Sequence, residues 1–448
     1  MPHFRDPIHG YIEVSELEKK IIDSPPFQRL RNIHQLATTY LVYHGAEHTR
    51  FGHSLGVMHL VTRAFDSVVS KDDHLFRDDE KENEAVVIWY RQILRLIALL
   101  HDVGHAPFSH TSEELFPDNL SHEDYTRNII ENTEISSYIN EIGVNLHENL
   151  AKKLGVPLKD LEEKYNIRSI TPQLLWTIYG EKPDPMGERG YIWPDFFFLK
   201  GFMDGELDCD KMDYLLRDSY YCGVSYGRYD LDRLISSLTA YKDKNAKILQ
   251  LSIQSGGVQA FEAFVLARYF MFIQVYFHKT RRYFDKVLIN ALKEILPDEE
   301  YPQELSEYLK WDDVRVMYEM KMSNGVYSQQ YLKREAMRCI RESGAHADED
   351  KIKLWRNSCK RINKDEGAEV AMFDEIDKKA HRLIPFTQEY KSEIEVNVLD
   401  RYTGEVRSIM GDSRILQGIV PKISICRVYA KECNKEKIAR LLESEIDG

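Results

Sequence analysis

In the stretch LIALLHDVGHAPFSH, residues 96 to 110, an apolar run ends in His101, Asp102, His105 and His110. Imidazole nitrogens and carboxylate oxygens can ligate a divalent cation, and imidazole titrates near neutral pH, so the same residue types also serve acid-base work. The spacing of Ile93, Leu96, Ile97 and Leu100 predicts a helix. It should end around Gly104, because glycine caps helices well and Pro107 disfavours helical geometry at Ala106. His101 and Asp102 then sit on its last turn. Adjacent helical positions lie about 100° apart around the axis, so both side chains can approach one point only if that point lies off the helix, against a neighbour. Such a point needs further ligands. HTRFGHSLG puts His53 at the start of a second helix, and LDCDKMDYLLRD puts Asp210 on a third, where Asp208, Asp213 and Asp218 compete with it. A mixed nitrogen and oxygen set suits first-row divalent metals such as Mn, Fe, Co, Ni or Zn better than Ca, with open positions left for water. A lone His-Asp pair would be explained more simply as a capped or salt-bridged helix end. The gathering of several histidines favours a cation site.

The elements that must position these groups are mostly helical. From residue 54 to about 300, apolar residues recur at three- and four-residue intervals, as in SLGVMHLVTRAF and AVVIWYRQILRLIALL. The acidic stretch 71 to 84 reads as a solvated loop, and residues 179 to 195, rich in Pro and Gly, as a surface excursion. Residues 301 to 384 are charged and read as a helical extension. Beyond 385, Ile394, Val396 and Val398 alternate before a turn at Thr403 and Gly404, KISICRVYA alternates again, and a helix follows near 434 to 443. The expectation is a mostly α protein: a helical core over 1–300, a helical extension over 301–384 and a small α+β module over 385–448.

At 448 residues and 43% hydrophobic content the chain can bury a large core, and its net charge of -13 argues against a broad grip on nucleic acid or an anionic membrane. Its six cysteines form no CxxC pair, and MPHFRDPIHG has no secretory pattern, so a cytoplasmic chain with reduced thiols is expected. FVLARYFMFIQVYF, interrupted by Arg268 and Gln274, is too short to span a bilayer.

The segments DPIHGYIE, DSPPFQRLRNIHQL, HTRFGHSLG, ALLHDVGHAPFSH, SHED and DCDKMDYLLRDS, in this order, resemble the HD-domain deoxynucleoside triphosphate triphosphohydrolases, among them the sterile-alpha-motif-and-HD-domain dNTPase and its bacterial homologues. The resemblance runs from residue 6 to about 290. It implies an HD-domain helical core and hydrolysis of dNTPs at the α-phosphorus, releasing deoxynucleoside and triphosphate. His53, His101, Asp102 and Asp210 would hold a divalent metal (Mn, Fe, Zn, Ni, Co or Mg), and a second Mg could accompany the nucleotide. His105, His122 and Glu113 would be catalytic, with a histidine serving as general acid. Arg50, His110, Lys211, Arg268 and Tyr214 would meet the triphosphate; Gln35 and Asp218 would bond the 3'-hydroxyl; Leu36 and Tyr214 would exclude a 2'-hydroxyl. Tyr276 would stack on the base, which tolerates any base. Asp23, Gln28 and Arg31 would read a guanine nucleotide activator, dGTP or GTP, between subunits of a homotetramer or dimer. The pattern departs at Glu113, where close relatives carry Asp, at Phe272, where a close relative has histidine, and before Phe4, where no lysine occurs. Two other readings share these residues: a nucleotidase or cyclic-dinucleotide phosphodiesterase, and a low-turnover nucleotide sensor or single-strand binder, of which the acidic charge disfavours strand binding.

Overall fold

The computed structural model describes residues 2–179, 195–242, 249–379, 396–420 and 422–446. The expected excursion at 179–195 falls almost wholly outside the described residues, as does Ile394. Among the described residues the chain is mostly helical, with small sheets. A short antiparallel hairpin, β1 (His3–Asp6) and β2 (Gly10–Glu13), leads into α1 (Glu16–Ile22), whose Ser15 and Glu18 form a reciprocal capping box. Two long helices, α2 (Arg50–Val69) and α3 (Glu80–Leu100), form the centre of the core. Leu55, Met58, Val61 and Phe65 of α2 are buried with Ala85, Trp89, Ile93 and Ile97 of α3 at the predicted helical spacing. Glu18, itself buried, takes both Arg95 Nε (2.7 Å) and Nη2 (2.8 Å), which ties α1 to α3. The loop expected over 71–84 is shorter: Asp79 caps α3 by accepting from the amide of Glu82 at 3.0 Å.

After α4 (His122–Asn132) and α5 (Glu134–Leu154) comes α6 (Cys209–Tyr221), capped by Asp208, which accepts from Lys211 N at 2.8 Å. The helical run Ser255–Tyr276, to which the apolar stretch read as too short to span a bilayer belongs, is long and apolar enough to do so by length and composition alone. Its α-helical part, α7 (Val258–Met271), buries Phe261, Phe264, Val265 and Met271 in the core and carries Arg268 inside. Next comes α8 (Lys279–Ile295).

The stretch expected to be a helical extension is not all helix. It holds α9 (Asp313–Met322) and α10 (Glu349–Glu366), but also β5 (Arg338–Glu342) and β6 (Ala371–Lys379). AMFDEIDKK escaped detection because its exposed positions are charged and its apolar ones few. Both strands flank β9 (Lys422–Ala430), and α11 (Lys435–Ile446) packs with α10 over Cys426, Val428 and Ala430. A second sheet has the order β3 (Leu238–Lys242), β4 (Leu249–Gln254), β7 (Asn397–Leu399), β8 (Val406–Ser408). The β4–β7 pairing is parallel and joins the region expected as core to the region expected as a separate C-terminal module. Strand pairing thus crosses both expected boundaries.

Candidate active site

His53 lies on the first turn of α2, because Thr49 starts that helix in extended conformation. Its Nε2 is 2.9 Å from Asp210 Oδ1 and 3.6 Å from Asp102 Oδ2. His101, at the C-cap of α3, points Nε2 toward the same place, 3.4 Å from Asp102 Oδ1 and 3.7 Å from Asp210 Oδ1. That buried nitrogen has no hydrogen-bond partner, while His101 Nδ1 lies 2.8 Å from the Ala98 carbonyl. His53 Nδ1 in turn lies 2.8 Å from Asp213 Oδ2. With a cation bound, each outer nitrogen would keep its proton against its acceptor and the inner lone pair would face the shared point. The donor set fits a divalent cation: two imidazole nitrogens and two carboxylates, with His53, His101 and Asp102 offering atoms within 4.8 Å of one another.

The four competing aspartates of LDCDKMDYLLRD are separated by geometry. Asp210 faces both imidazoles, Asp208 caps the helix, Asp213 holds the far side of His53, and Asp218 lies two turns on. Burial disfavours a charged His53, yet Asp210 and Asp213 more than offset this and hold its pKa up to about 10. Burial would raise Asp102 too, but Arg50 and the histidines hold it well below the usual carboxylate range.

Gly104, expected as a helix cap, serves a different purpose: a Cβ there would stand 2.2 Å from Thr126 N and 2.3 Å from His122 O. The bare backbone lets α4 approach, so the His105 and His122 rings stack with centroids 4.0 Å apart. Glu113 sits between three histidines. It lies 2.8 Å from His110 Nδ1, 2.8 Å from His122 Nδ1, off hydrogen-bond direction, and 3.4 Å from His105 Nδ1. These four side chains form a second group with metal-ligand character. His105 Nε2 reaches Asp102 Oδ1 at 3.1 Å, so the two groups touch. Burial, Arg50 and His122 hold His105 well below its ordinary value, and it stays neutral.

Arg50 is buried between Asp102 Oδ2 and Ser109 Oγ. Lys211 is paired with Asp208, Arg268 Nη1 is 3.3 Å from Glu206 Oε2, and the Phe272 ring lies 5.5 Å from the Arg268 guanidinium. Burial pushes the Tyr214 hydroxyl up to about 12 despite Arg268 and Lys211 beside it. Asp218 is held on both oxygens, by His48 Nε2 at 2.8 Å and Tyr276 OH at 2.7 Å. Gln35 Oε1 is buried without a partner, and Leu36 is buried next to it in sequence. Of the three residues expected at a guanine site, Gln28 and Arg31 bond each other at 2.8 Å, whereas Asp23 pairs with Lys19. His48, Glu206, Asp213 and Arg217 were not anticipated as parts of the site. Asp213 had a signal as a rival for Asp210, and His48 and Arg217 lie within the motifs HTRFGHSLG and DCDKMDYLLRDS, whereas Glu206 lies in none of them.

Two family models match: the HD domain over residues 50–165, and the HD associated region over residues 229–447. This is an HD-domain protein. It is 32% identical over 334 residues to the uncharacterized protein YwfO of Bacillus subtilis, covering 70% of this chain and 64% of that one. It is also 32% identical over 264 residues to the deoxynucleoside triphosphate triphosphohydrolase SAMHD1 of Gallus gallus, covering 55% and 38%. The chain therefore spans less than two thirds of the length of either relative. A hypothetical protein from Aquifex aeolicus, solved by crystallography, superimposes with a TM-score of 0.72 at 28% identity, covering 98% of this chain and 99% of that one. The HD associated region takes in all strands from β3 onward, in keeping with the pairing between β4 and β7.

Proposed function

We propose that this HD-domain protein hydrolyses dNTPs to deoxynucleoside and inorganic triphosphate with a divalent metal. The observation that carries the reading is the convergence of two imidazole Nε2 atoms and two carboxylates beside the stacked His105 and His122. His53, His101, Asp102 and Asp210 would hold the ion, which when bound polarises a phosphoryl oxygen and acidifies a water. His122, stacked on His105 with the Glu113 carboxylate beside it, delivers a proton to the leaving 5'-oxygen, and neutral His105 lines the α-phosphate. Arg50, Lys211 and Arg268, with His110 and Tyr214, neutralise the polyphosphate by exchanging Asp102, Asp208 and Glu206 for phosphate oxygens. Gln35, a buried acceptor without a donor, takes the 3'-hydroxyl together with Asp218. Leu36 and Tyr214 close the space a 2'-hydroxyl needs, and Tyr276 stacks on the base. Asp23, Gln28 and Arg31 bind dGTP or GTP as activator at a contact between subunits of a homotetramer or dimer.

Purified protein incubated with Mn or Mg and each dNTP yields deoxynucleoside and triphosphate in equal amounts. Monophosphate with pyrophosphate would reject the proposed bond. The internal pairing of Arg50, Lys211 and Arg268 also favours a second reading, a phosphohydrolase of monophosphates or cyclic dinucleotides, since shorter phosphates demand fewer free cations. Competition of dATP turnover by dAMP and by cyclic dinucleotides separates the two.

A further inference from the structure

The charged groups behind His53 form a closed circuit that begins in the N-terminal hairpin. Asp213 is fully buried and receives four donors on its four lone-pair positions: His9 Nε2 (2.6 Å) and Arg217 Nη2 (3.0 Å) on Oδ1, His53 Nδ1 (2.8 Å) and Arg217 Nε (2.7 Å) on Oδ2. Arg217 extends its third nitrogen, Nη1, to Asp6 Oδ2 at 2.9 Å. Asp6 Oδ1 then accepts from the amides of Ile8 (2.8 Å) and His9 (2.9 Å), fixing the turn between β1 and β2 that presents the His9 ring. The circuit runs from turn to Asp6, Arg217, Asp213, His9 and back to the turn, and His53 links it to the candidate cation site. Helix α2 is shaped to admit it. A Cβ at Gly56 would stand 2.0 Å from Asp213 Oδ1 and 2.5 Å from Arg217 Nη2, and one at Gly52 3.3 Å from Arg217 Nη1.

We propose that the N-terminal hairpin is a structural part of the metal centre: Asp213 is the positioning residue for His53, and its own orientation is set by His9 and by the Asp6–Arg217 pair. This rests on the reading of His53, His101, Asp102 and Asp210 as metal ligands, but not on any substrate. A saturated carboxylate cannot rotate, so it fixes the His53 ring through Nδ1 and, with a metal bound, would aim the Nε2 lone pair at it. His101, by contrast, is aligned by a backbone carbonyl within its own helix and needs no distant residue. Loss of such an outer partner weakens metal binding by about 10- to 100-fold.

The test uses the full chain, with Mn2+ affinity read by calorimetry and the histidine tautomer by 15N NMR of the imidazoles with diamagnetic Zn2+ bound. Asp213→Asn is expected to weaken Mn2+ binding by about 10- to 100-fold and to mix the His53 tautomers, whereas the wild-type protein with Zn2+ shows the Nδ1-protonated form. His9→Ala, on the hairpin, keeps the Asp213–Arg217 pair intact and is expected to give a smaller weakening in the same direction, restored by His9→Gln, whose amide donates in its place. Should Asp213→Asn fail to fold, the His9 pair decides. Unchanged affinity and tautomer in folded His9→Ala overturns the proposal, as does a wild-type protein that binds no Mn2+. Failure of dNTP hydrolysis with normal Mn2+ binding would instead count against the proposed function and leave this circuit standing.

Discussion

Gly104 shows how much one missing side chain decides. Its hydrogen faces the backbone of α4 at two points, Thr126 N and His122 O, and backbone cannot swing aside as a flexible side chain would. Gly104→Ala should therefore cost about 2–3 kcal/mol and displace His122 from His105, lowering kcat more than it raises KM. Thermal melting and steady-state kinetics check both. His34 offers a second residue-level test. Burial lowers its pKa, but Asp313 Oδ2 at 2.5 Å and Glu47 Oε2 at 2.8 Å outweigh burial and raise it to about 8. A raised histidine stabilises the fold fully below the unfolded value near 6.5 and ceases to do so as pH climbs through 8. The contribution is about 2 kcal/mol, and His34→Gln should remove that part of the difference in urea midpoint between pH 6 and pH 9. The residues that reach the candidate cation site were legible as motifs. By spacing alone Asp213 and Asp210 could not be told apart, because positions three apart on one helix share a face and only the neighbours distinguish them; the resemblance alone picked Asp210.

At the level of elements, the segment after α8 fastens the strained turn that carries the histidines. Phe108 and Ser109 both adopt left-handed conformations, with φ of 57°. They are held there by Asp313 Oδ1, which accepts from Phe108 N at 2.7 Å, and by the bond from Ser109 Oγ to the His34 carbonyl at 2.6 Å. Tyr308 OH donates to Gly104 O at 2.7 Å and Tyr301 N to Leu115 O at 2.9 Å. Tyr308→Phe should lose about 1 kcal/mol and loosen the turn, read as faster hydrogen exchange at His105 through His110. Unchanged exchange would deny the fastening role. The helices of the core were legible because their apolar period is strong. Strands β5 and β6 were not, since charge on their exposed side hides the alternation. The pairing of β7 with β4 lay beyond reach because Ile253 and Val398 are 145 residues apart and leave no local mark.

For the molecule as a whole, the candidate cation site joins α2, the end of α3 and the start of α6, whose donor residues lie as far as 157 residues apart in sequence. An ion bound there is linked to folding by mass action. Manganese at a thousandfold excess over its Kd should add about 4 kcal/mol, and chelation should remove it. A melting temperature indifferent to both would contradict the ligand set. The overall class, mostly α with small sheets, could be read from periodicity; the strand pairings that cross the expected boundaries could not, because they join distant segments whose compositions differ.

The central place of β9 sets a timetable for biosynthesis. Its two neighbours are made first and wait for it, β6 for about 40 residues of further translation and β5 for about 80. At roughly 5–20 residues per second that is about 2 to 16 s in which two strand edges stay open on the ribosome. Nascent chains are most exposed to chaperones and to mispairing during that interval.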